Sequence, residues 1–181
     1  MKKTYETFKE FLKTSGITES VMSRELGPNP SNWICDHLQD HELVNILEIG
    51  RSKGHSLALF KYLWPNSKVV SVDVIYHKEV GRVLDYFSAS GSIDIVNGDI
   101  TRFNGDQIFD LVLIDGDHSY QGAKLDWDSI QKNIAPGSIV LFDDLGHGGG
   151  CGKVFYDIKN DYKTEVIKNQ QGIECHGVVY I

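Results

Sequence analysis

Short apolar segments alternate with segments of helical periodicity along this chain from residue 44 onward. Five apolar segments have the length of β-strands; the predicted strands are residues 44–49, 68–74, 92–97, 111–114 and 138–142. The predicted helices between them include residues 56–63, 79–88 and 120–134. Strands that are apolar throughout and alternate with helices are typical of a parallel sheet covered on both faces. The pattern therefore predicts a doubly wound α/β fold.

The C-terminal segment departs from this alternation. Two extended segments, residues 165–168 and 173–181, flank the turn sequence Gln170-Gln171-Gly172. Two strands joined by so short a turn predict an antiparallel hairpin. Added to the five parallel strands, the hairpin predicts a mostly parallel seven-stranded sheet with an antiparallel C-terminal pair.

The N-terminal segment is predicted to be helical. Tyr5, Phe8, Phe11 and Leu12 recur at the spacing of one helix face. Two further helices are predicted at residues 18–25 and 31–40, and a chain of 181 residues has room for one full core. We expect one domain spanning residues 1–181, with a helical cap at 1–42 and an α/β core at 43–181.

Composition excludes several classes of protein. A net charge of −7 disfavours a surface that tracks nucleic-acid phosphates. Three widely spaced cysteines favour free thiols in a reducing compartment over a disulfide framework. No apolar run reaches the ~20 residues of a membrane helix, and no signal peptide is evident. We therefore expect a cytoplasmic protein without nucleic-acid or membrane partners.

A glycine turn follows the first predicted strand, where doubly wound sheets bind ligands. It reads from Glu48 to Ser56, with glycines at Gly50 and Gly54. A dinucleotide fingerprint needs glycines at relative positions 1, 3 and 6. Ser52 and His55 stand at the second and third of those positions, which disfavours a nicotinamide dinucleotide.

Acidic residues close the first three predicted strands. A carboxylate at Glu48 would repel a pyrophosphate and attract the ammonium and sulfonium groups of S-adenosylmethionine. Asp73 ends the second strand, where it would accept hydrogen bonds from ribose hydroxyls, and Asp99 ends the third, where it would accept from the adenine amino group. The alternative is that the glycines only form the turn and the aspartates only cap helices. The predicted cofactor-binding residues are Glu48, Gly50, Ser52, Gly54, Ser56, Asp73, Asp99 and Asp115.

A cluster of aspartates is predicted where the fourth and fifth strands end. Asp115 follows the fourth strand, and Asp143 and Asp144 follow the fifth. Carboxylates this close repel one another, whereas Mg²⁺ binds a few of them and leaves positions for substrate oxygens. The sequence thus predicts a Mg²⁺ site, with loop solvation as the alternative for Asp143 and Asp144. Asp117 is interpreted as a helix-capping residue.

The segments LEIGRSKGHS and SVDV resemble motifs of class I methyltransferases, over residues 44–181. That resemblance implies a Rossmann-like fold and S-adenosylmethionine as cofactor. The segments IDGDHSYQGAKLD and PGSIVLFDD resemble a narrower group, the macrocin-type sugar O-methyltransferases and cephalosporin hydroxylase-like proteins, and more distantly the catechol O-methyltransferases. In the catechol type the positions of Asp115, Asp143 and Asp144 bind Mg²⁺. His118 stands where that type has a basic lysine.

The resemblance implies Mg²⁺-assisted O-methylation of a small hydroxylated acceptor such as a sugar. The metal would lower the pKa of the acceptor hydroxyl, and His118 or His147 would take its proton. The predicted catalytic residues are Asp115, His118 and His147. The alternatives are a metal-independent methyltransferase, a non-catalytic cofactor-binding module and an enzyme that uses NAD(P). A homodimer is compatible with the sequence.

Overall fold

The structure is a computed structural model that describes residues 2–17, 28–88, 92–146 and 149–181. The strands are β1 Asn45–Ile49, β2 Lys68–Asp73, β3 Ile93–Asn97, β4 Leu111–Ile114, β5 Ile139–Phe142, β6 Lys163–Lys168 and β7 Glu174–Tyr180. The helices are α1 Tyr5–Thr14, α2 Pro28–Leu38, α3 His55–Leu63, α4 Val80–Phe87, α5 Tyr120–Ser129 and α6 Gly150–Ile158. Short 3-10 turns cover Ile100–Arg102 and Gln131–Asn133. The predicted helix at residues 18–25 lies outside the described residues.

The strands form one seven-stranded sheet in the order β3-β2-β1-β4-β5-β7-β6. Neighbouring strands from β3 to β5 are parallel, while β7 pairs antiparallel with both β5 and β6. The predicted fold class is thereby confirmed: a Rossmann-like, doubly wound, mostly parallel sheet with an antiparallel C-terminal hairpin. Strand order reverses between β1 and β4, so the carboxyl ends of these two strands form the switch point.

Apolar side chains cover both faces of the sheet. On one face Phe8 of α1, Ile34 of α2 and Phe60 of α3 pack in one buried cluster with β-strand residues. On the other face Trp127 of α5 and Phe155 of α6 belong to a second buried cluster. Because helices bury both faces, the central strands β4 and β5 are apolar along their whole length, as the sequence pattern requires.

The N-terminal helices are attached to the core near the glycine turn. The rings of Tyr5 and Phe8 pack edge-on against His55 at the start of α3, with centroid distances of 6.2 and 5.4 Å. At the other end of α3, Lys3 Nζ donates hydrogen bonds to the carbonyl oxygens of Tyr62 and Leu63. None of the described helices is long and apolar enough to span a bilayer.

Two helices differ from the sequence prediction. The helix predicted at residues 120–134 ends at Ser129, because Asn133 donates side-chain hydrogen bonds to the carbonyls of Gly105 and Gln107 and fixes a 3-10 turn instead. Helix α6 was not predicted from the sequence. Its glycines are required by packing: a Cβ at Gly150 would lie 1.9 Å from the backbone nitrogen of Tyr120, at the start of α5.

Candidate active site

A cavity of about 960 Å³ lies at the carboxyl ends of the parallel strands. Its walls come from the turns after β1 to β5, one face of α5 and the β6–β7 hairpin. Ligands of open α/β sheets bind at the switch in strand order, and this volume is usual for a small-molecule site. The cavity is therefore the candidate site.

The turn between β1 and α3 brings backbone, not side chains, to the floor of the cavity. Gly50 has a φ of +93°, and a Cβ there would lie 1.8 Å from the carbonyl oxygen of Asp115. Ser52, which replaces the expected middle glycine, also has a left-handed φ of +46°. Gly54 has a φ of +90° and precedes the first residue of α3. The turn therefore needs glycine or a small side chain at all three positions.

Glu48 lies behind this turn and not in the cavity wall. Its side chain is fully buried, and its two oxygens accept hydrogen bonds from the hydroxyls of Ser56 and Ser71. Burial raises the pKa of Glu48, although the two serine hydrogen bonds and the charge of Arg51 oppose the rise. Glu48 thus orders the turn by joining β1, β2 and α3. A direct contact of Glu48 with a ligand, as the sequence suggested, is not part of this arrangement.

Asp73 and Asp99 both border the cavity, as their positions after β2 and β3 predict. Asp73 accepts hydrogen bonds from the backbone N–H groups of Ser52 and Ile75, each at 2.7 Å. Asp99 accepts from the backbone N–H and hydroxyl of Thr101, which lower its pKa. Both carboxylates keep free lone pairs, so each can accept further hydrogen bonds from a ligand.

Four side chains, those of Asp115, His118, Asp143 and Asp144, converge at the carboxyl ends of β4 and β5. His118 Nε2 lies 3.6 Å from Oδ1 of Asp115, and its Nδ1 lies 3.1 Å from Oδ2 of Asp144. The backbone N–H of Asp144 donates to Oδ1 of Asp143 at 2.8 Å, and Asp144 itself has a left-handed φ of +55°. A non-glycine residue held in that conformation is often found at a functional site.

The pKa values in this cluster are shifted because several carboxyl groups lie close together. Burial, and then the charge of Asp143, raise the pKa of Asp115 to about 8 despite its contact with His118. The contact with Asp115 in turn raises the pKa of His118 to about 9, with Asp144 adding to the effect. Although burial opposes it, the pKa of Asp143 is lowered by His176 and by the backbone of Asp144. Asp115 and Asp143 therefore share one proton between them.

His176 is a site residue that the sequence analysis missed. It is buried, borders the cavity and places its Nδ1 against Oδ1 of Asp143. Its position follows from the pairing of β7 with β5, in which Gly177 lies opposite Phe142, the residue before Asp143. The one signal in the sequence was its place in the last strand. His147 lies outside the described residues, and its predicted role as a base stays a prediction.

The donor chemistry of the cluster fits a hard divalent cation. Asp115, Asp143 and Asp144 offer carboxylate oxygens, the ligands that Mg²⁺ prefers, and two of these groups already lie against each other. As the side chains lie, no group of three or more acidic, histidine or cysteine residues in the described part of the chain is placed to hold a metal. The reason is that His118 and His176 face the carboxylate oxygens that a metal would need.

A family model described as a methyltransferase domain matches residues 47–145, more than half of the chain. The matched stretch begins in β1 and contains the Gly50 turn, Asp73, Asp115 and the Asp143-Asp144 pair. The chain belongs to this methyltransferase family. No curated protein sequence matches the methyltransferase significantly.

Solved structures share the fold of this methyltransferase. An O-methyltransferase from Bacillus cereus in complex with S-adenosylhomocysteine is 15% identical, with 99% of this chain and 92% of that chain covered and a TM-score of 0.71. The O-methyltransferase TomG from Streptomyces achromogenes in complex with S-adenosylmethionine is 14% identical, with 100% and 92% covered and a TM-score of 0.67. The N-methyltransferase NodS from Bradyrhizobium japonicum WM9 is 21% identical, with 76% and 84% covered and a TM-score of 0.55. Identities this low establish a common fold and leave the acceptor of this methyltransferase open.

Proposed function

We propose that the protein is an S-adenosylmethionine-dependent O-methyltransferase that acts, with Mg²⁺, on a small hydroxylated molecule such as a sugar. The observation that carries the proposal is the shared cavity: the cluster of Asp115, His118 and Asp144 opens onto the same space as the Gly50 turn and Asp73. A methyl donor and a hydroxyl group held in one cavity react as neighbours, which lowers the entropic part of the barrier. The resemblance to the macrocin-type group supports the sugar.

The cavity suits the methyl donor in three respects. Asp73 would accept hydrogen bonds from both ribose hydroxyls, and Asp99 would accept from the adenine amino group. The absence of a side chain at Gly50 lets the loop after β4 lie against the turn, so that both segments border the same cavity. The many carboxylates of the cavity attract a sulfonium and an ammonium. The structures that share the fold include complexes with this donor and its product, which supports the same assignment here.

His118 is placed to take the proton of the acceptor. In the reaction the hydroxyl oxygen bonds to the methyl carbon as the carbon–sulfur bond breaks, and the proton passes to an imidazole nitrogen of the neutral form of His118, which is the minor form at pH 7 because the pKa of His118 is about 9. Asp115 and Asp144 hold the two ring nitrogens and so orient the ring. When bound, Mg²⁺ would be held by Asp115, Asp143 and Asp144 and would lower the pKa of the acceptor hydroxyl.

The charge of the cavity supports an acceptor without phosphate groups. Seven aspartates border it, whereas Arg51 is the one arginine or lysine among the described residues of its wall. Arg51 is buried and donates to the carbonyl oxygen of Ser71 and the side chain of Asn97, which leaves it little reach towards an acceptor. Phosphorylated acceptors would be repelled, while a neutral polyol or sugar carries no charge that the carboxylates would repel.

A metal-independent methyltransferase is the second candidate. It is favoured by the two histidines, which already compensate the acids: His118 lies between Asp115 and Asp144, and His176 lies against Asp143. For this candidate, the contacts of the two imidazole groups stabilise the carboxylates in place of Mg²⁺. The two candidates differ in their response to a chelator.

Cofactor binding is tested by calorimetric titration of S-adenosylhomocysteine into the wild type, Asp73→Ala and Asp94→Ala. Removing two hydrogen bonds to a carboxylate, worth about 1.5–3 kcal/mol each, should weaken binding by at least about tenfold in Asp73→Ala. Asp94 is an exposed residue of β3 outside the cavity, so its variant should bind as the wild type does. Equal affinity in Asp73→Ala would refute the assigned ribose contact.

Catalysis is tested by following S-adenosylhomocysteine release with a panel of free sugars, polyols and catechol. We expect turnover that is abolished by EDTA and restored by Mg²⁺, and that falls by about 10²-fold or more in Asp115→Asn, since a metal ligand and the contact of His118 are lost together. Turnover unaffected by EDTA would establish the second candidate. If the cofactor binds and no acceptor is methylated, the protein is a non-catalytic binding module.

A further inference from the structure

A buried carboxyl group borders the far end of the cavity and is used by nothing described so far. Asp126 lies on the face of α5 that Gly122 and Leu125 also present to the cavity, and it is only 6% exposed. Its Oδ2 is buried and has no hydrogen-bond partner. Leaving a buried carboxyl oxygen without a partner costs free energy, so nearly all such groups in folded proteins are compensated. A ligand, a proton or both must complete this site.

The surroundings of Asp126 are acidic. Oδ2 lies close to Gly116, where a Cβ would come within 2.9 Å of it. Burial, and then the charges of Asp117 and Asp99, raise the pKa of Asp126 to about 7. From α6, the titratable group that faces Asp126 is the thiol of Cys151. Asp126 is therefore protonated in a large fraction of molecules at neutral pH and can donate a hydrogen bond as well as accept one.

The position of Asp126 corresponds to the base of the cofactor. Asp73, the proposed ribose acceptor, lines the same cavity wall as Asp99, Ile100 and Asp126, and Asp126 lies close enough to Asp99 for that charge to raise its pKa. A base attached to a ribose at Asp73 lies along that wall. This step rests on the proposed function, because it takes the ligand to be S-adenosylmethionine or its product.

We propose that Asp126, as a neutral carboxylic acid, binds the edge of the adenine and selects adenine over other purines. Its hydroxyl donates to the ring nitrogen N7, and its carbonyl oxygen accepts from the exocyclic amino group. An amide side chain recognises adenine in nucleic acids with the same pair of donor and acceptor. Asp99 keeps its charge, because Thr101 lowers its pKa, and accepts the second amino hydrogen. Because their pKa values differ, the neutral Asp126 and the charged Asp99 take different roles at the adenine.

Selection follows from the pattern of donors and acceptors. Hypoxanthine carries an oxygen in place of the amino group, while its N7 remains an acceptor. Against hypoxanthine, the ionised Asp99 would face a carbonyl oxygen and Asp126 would lose one of its two partners. A site that leaves buried polar groups unpaired rejects the wrong ligand strongly. The site should therefore prefer S-adenosylhomocysteine to S-inosylhomocysteine.

The experiment is a calorimetric titration of both compounds between pH 6 and pH 9. The proteins are the wild type, Asp126→Asn, Asp126→Ala and a matched control, Asp128→Asn. Asp128 is an exposed residue of the same helix that pairs with Lys124 outside the cavity. Circular dichroism establishes that each variant is folded. Asp115 and His118 also titrate in this pH range, so the contribution of Asp126 is the difference between wild type and Asp126→Asn.

We expect the affinity of the wild type for S-adenosylhomocysteine to fall about tenfold for each pH unit above 7, relative to Asp126→Asn. Asp126→Asn keeps a donor and an acceptor and should match the wild type at pH 6. Asp126→Ala should bind S-adenosylhomocysteine at least tenfold more weakly at pH 6 and lose most of the preference over S-inosylhomocysteine. Asp128→Asn should behave as the wild type.

Two results would overturn the inference. If the wild type binds S-adenosylhomocysteine, and Asp126→Ala binds it as tightly with the same preference and pH dependence, Asp126 does not contact the base and the proposed function stands. If the wild type binds neither compound at any pH, the proposed function fails and the inference fails with it.

Discussion

Two features require glycine at position 50. Its backbone has a positive φ, and the loop after β4 lies too close to leave room for a side chain. The variant Gly50→Ala would place a Cβ 1.8 Å from the carbonyl oxygen of Asp115, at a φ of +93°. Gly137→Ala is the matched control, because Gly137 has a φ of +101° and no atom within 4 Å of a Cβ. The control should lose about 1–2 kcal/mol of unfolding free energy, the cost of the left-handed conformation alone.

Gly50→Ala should lose more than about 4 kcal/mol or fail to fold, because a backbone carbonyl cannot move aside as a flexible side chain can. Urea titration followed by circular dichroism measures both variants. Equal losses in the two variants would show that the loop after β4 yields, and that close packing against Asp115 does not explain the glycine.

Several of the site residues that the sequence predicted share a property that the missed residues lack. Asp73 is the last residue of a parallel strand, and Asp115 and Asp143 directly follow one, so the fold alone brings them to one edge. Asp126 and His176 reach the same cavity by other routes: one lies in the second turn of α5, and the other depends on the register of β7 against β5. Such positions follow from tertiary packing, which periodicity does not encode.

At the scale of secondary-structure elements, Glu48 connects two strands and a helix. Its carboxyl lies on β1 and accepts hydrogen bonds from Ser71 of β2 and Ser56 of α3, entirely out of water. Burial raises its pKa in the folded state above the unfolded value of about 4.3. The contribution of Glu48 to stability is therefore complete below that unfolded pKa and is lost as the pH rises through the folded pKa.

The variant Glu48→Gln removes this titration and keeps the shape of the side chain. We expect the unfolding free energy of Glu48→Gln, minus that of the wild type, to increase with pH above about 4.3. Denaturant titrations at a series of pH values measure the difference, and Glu42→Gln, at an exposed position before β1, is the control with a constant difference. A difference that decreases with pH would mean that the serine hydrogen bonds outweigh burial and that Glu48 is ionised in the turn.

Sequence patterns predicted the strands more closely than the helices. All five parallel strands lie within a residue of their predicted limits, because a strand buried on both faces must be apolar and is bounded by polar residues. Helix α6 was missed because glycine has a low helix propensity, and its glycines serve the approach to α5 and not the helix itself. The early end of α5 depends on long-range hydrogen bonds of Asn133, which no local pattern reveals.

At the scale of the whole molecule, the expectation of a single domain requires that the chain unfolds as one unit. The reactivity of the three cysteines provides a test of this expectation. Cys35 of α2 is buried in the cluster on one face of the sheet, and Cys151 of α6 is buried in the cluster on the other. Burial raises the pKa of Cys35 to about 11 and that of Cys151 to about 12, so neither is a reactive thiolate while folded. Cys175 is half-buried at the cavity.

Ellman's reagent should therefore label one thiol rapidly in the native protein, and Cys175→Ser should abolish that rapid phase.

If the two faces unfold together, Cys35 and Cys151 react at one common rate under mild denaturant, and that rate follows the global unfolding equilibrium. Peptide mapping of the labelled protein separates the two sites. Earlier labelling of Cys35 would show that the N-terminal helices open as a unit of their own and would contradict the single domain. Since Tyr5 and Phe8 of α1 pack on His55 at the glycine turn, such an opening would also loosen the cavity and weaken binding of S-adenosylhomocysteine in step with the labelling.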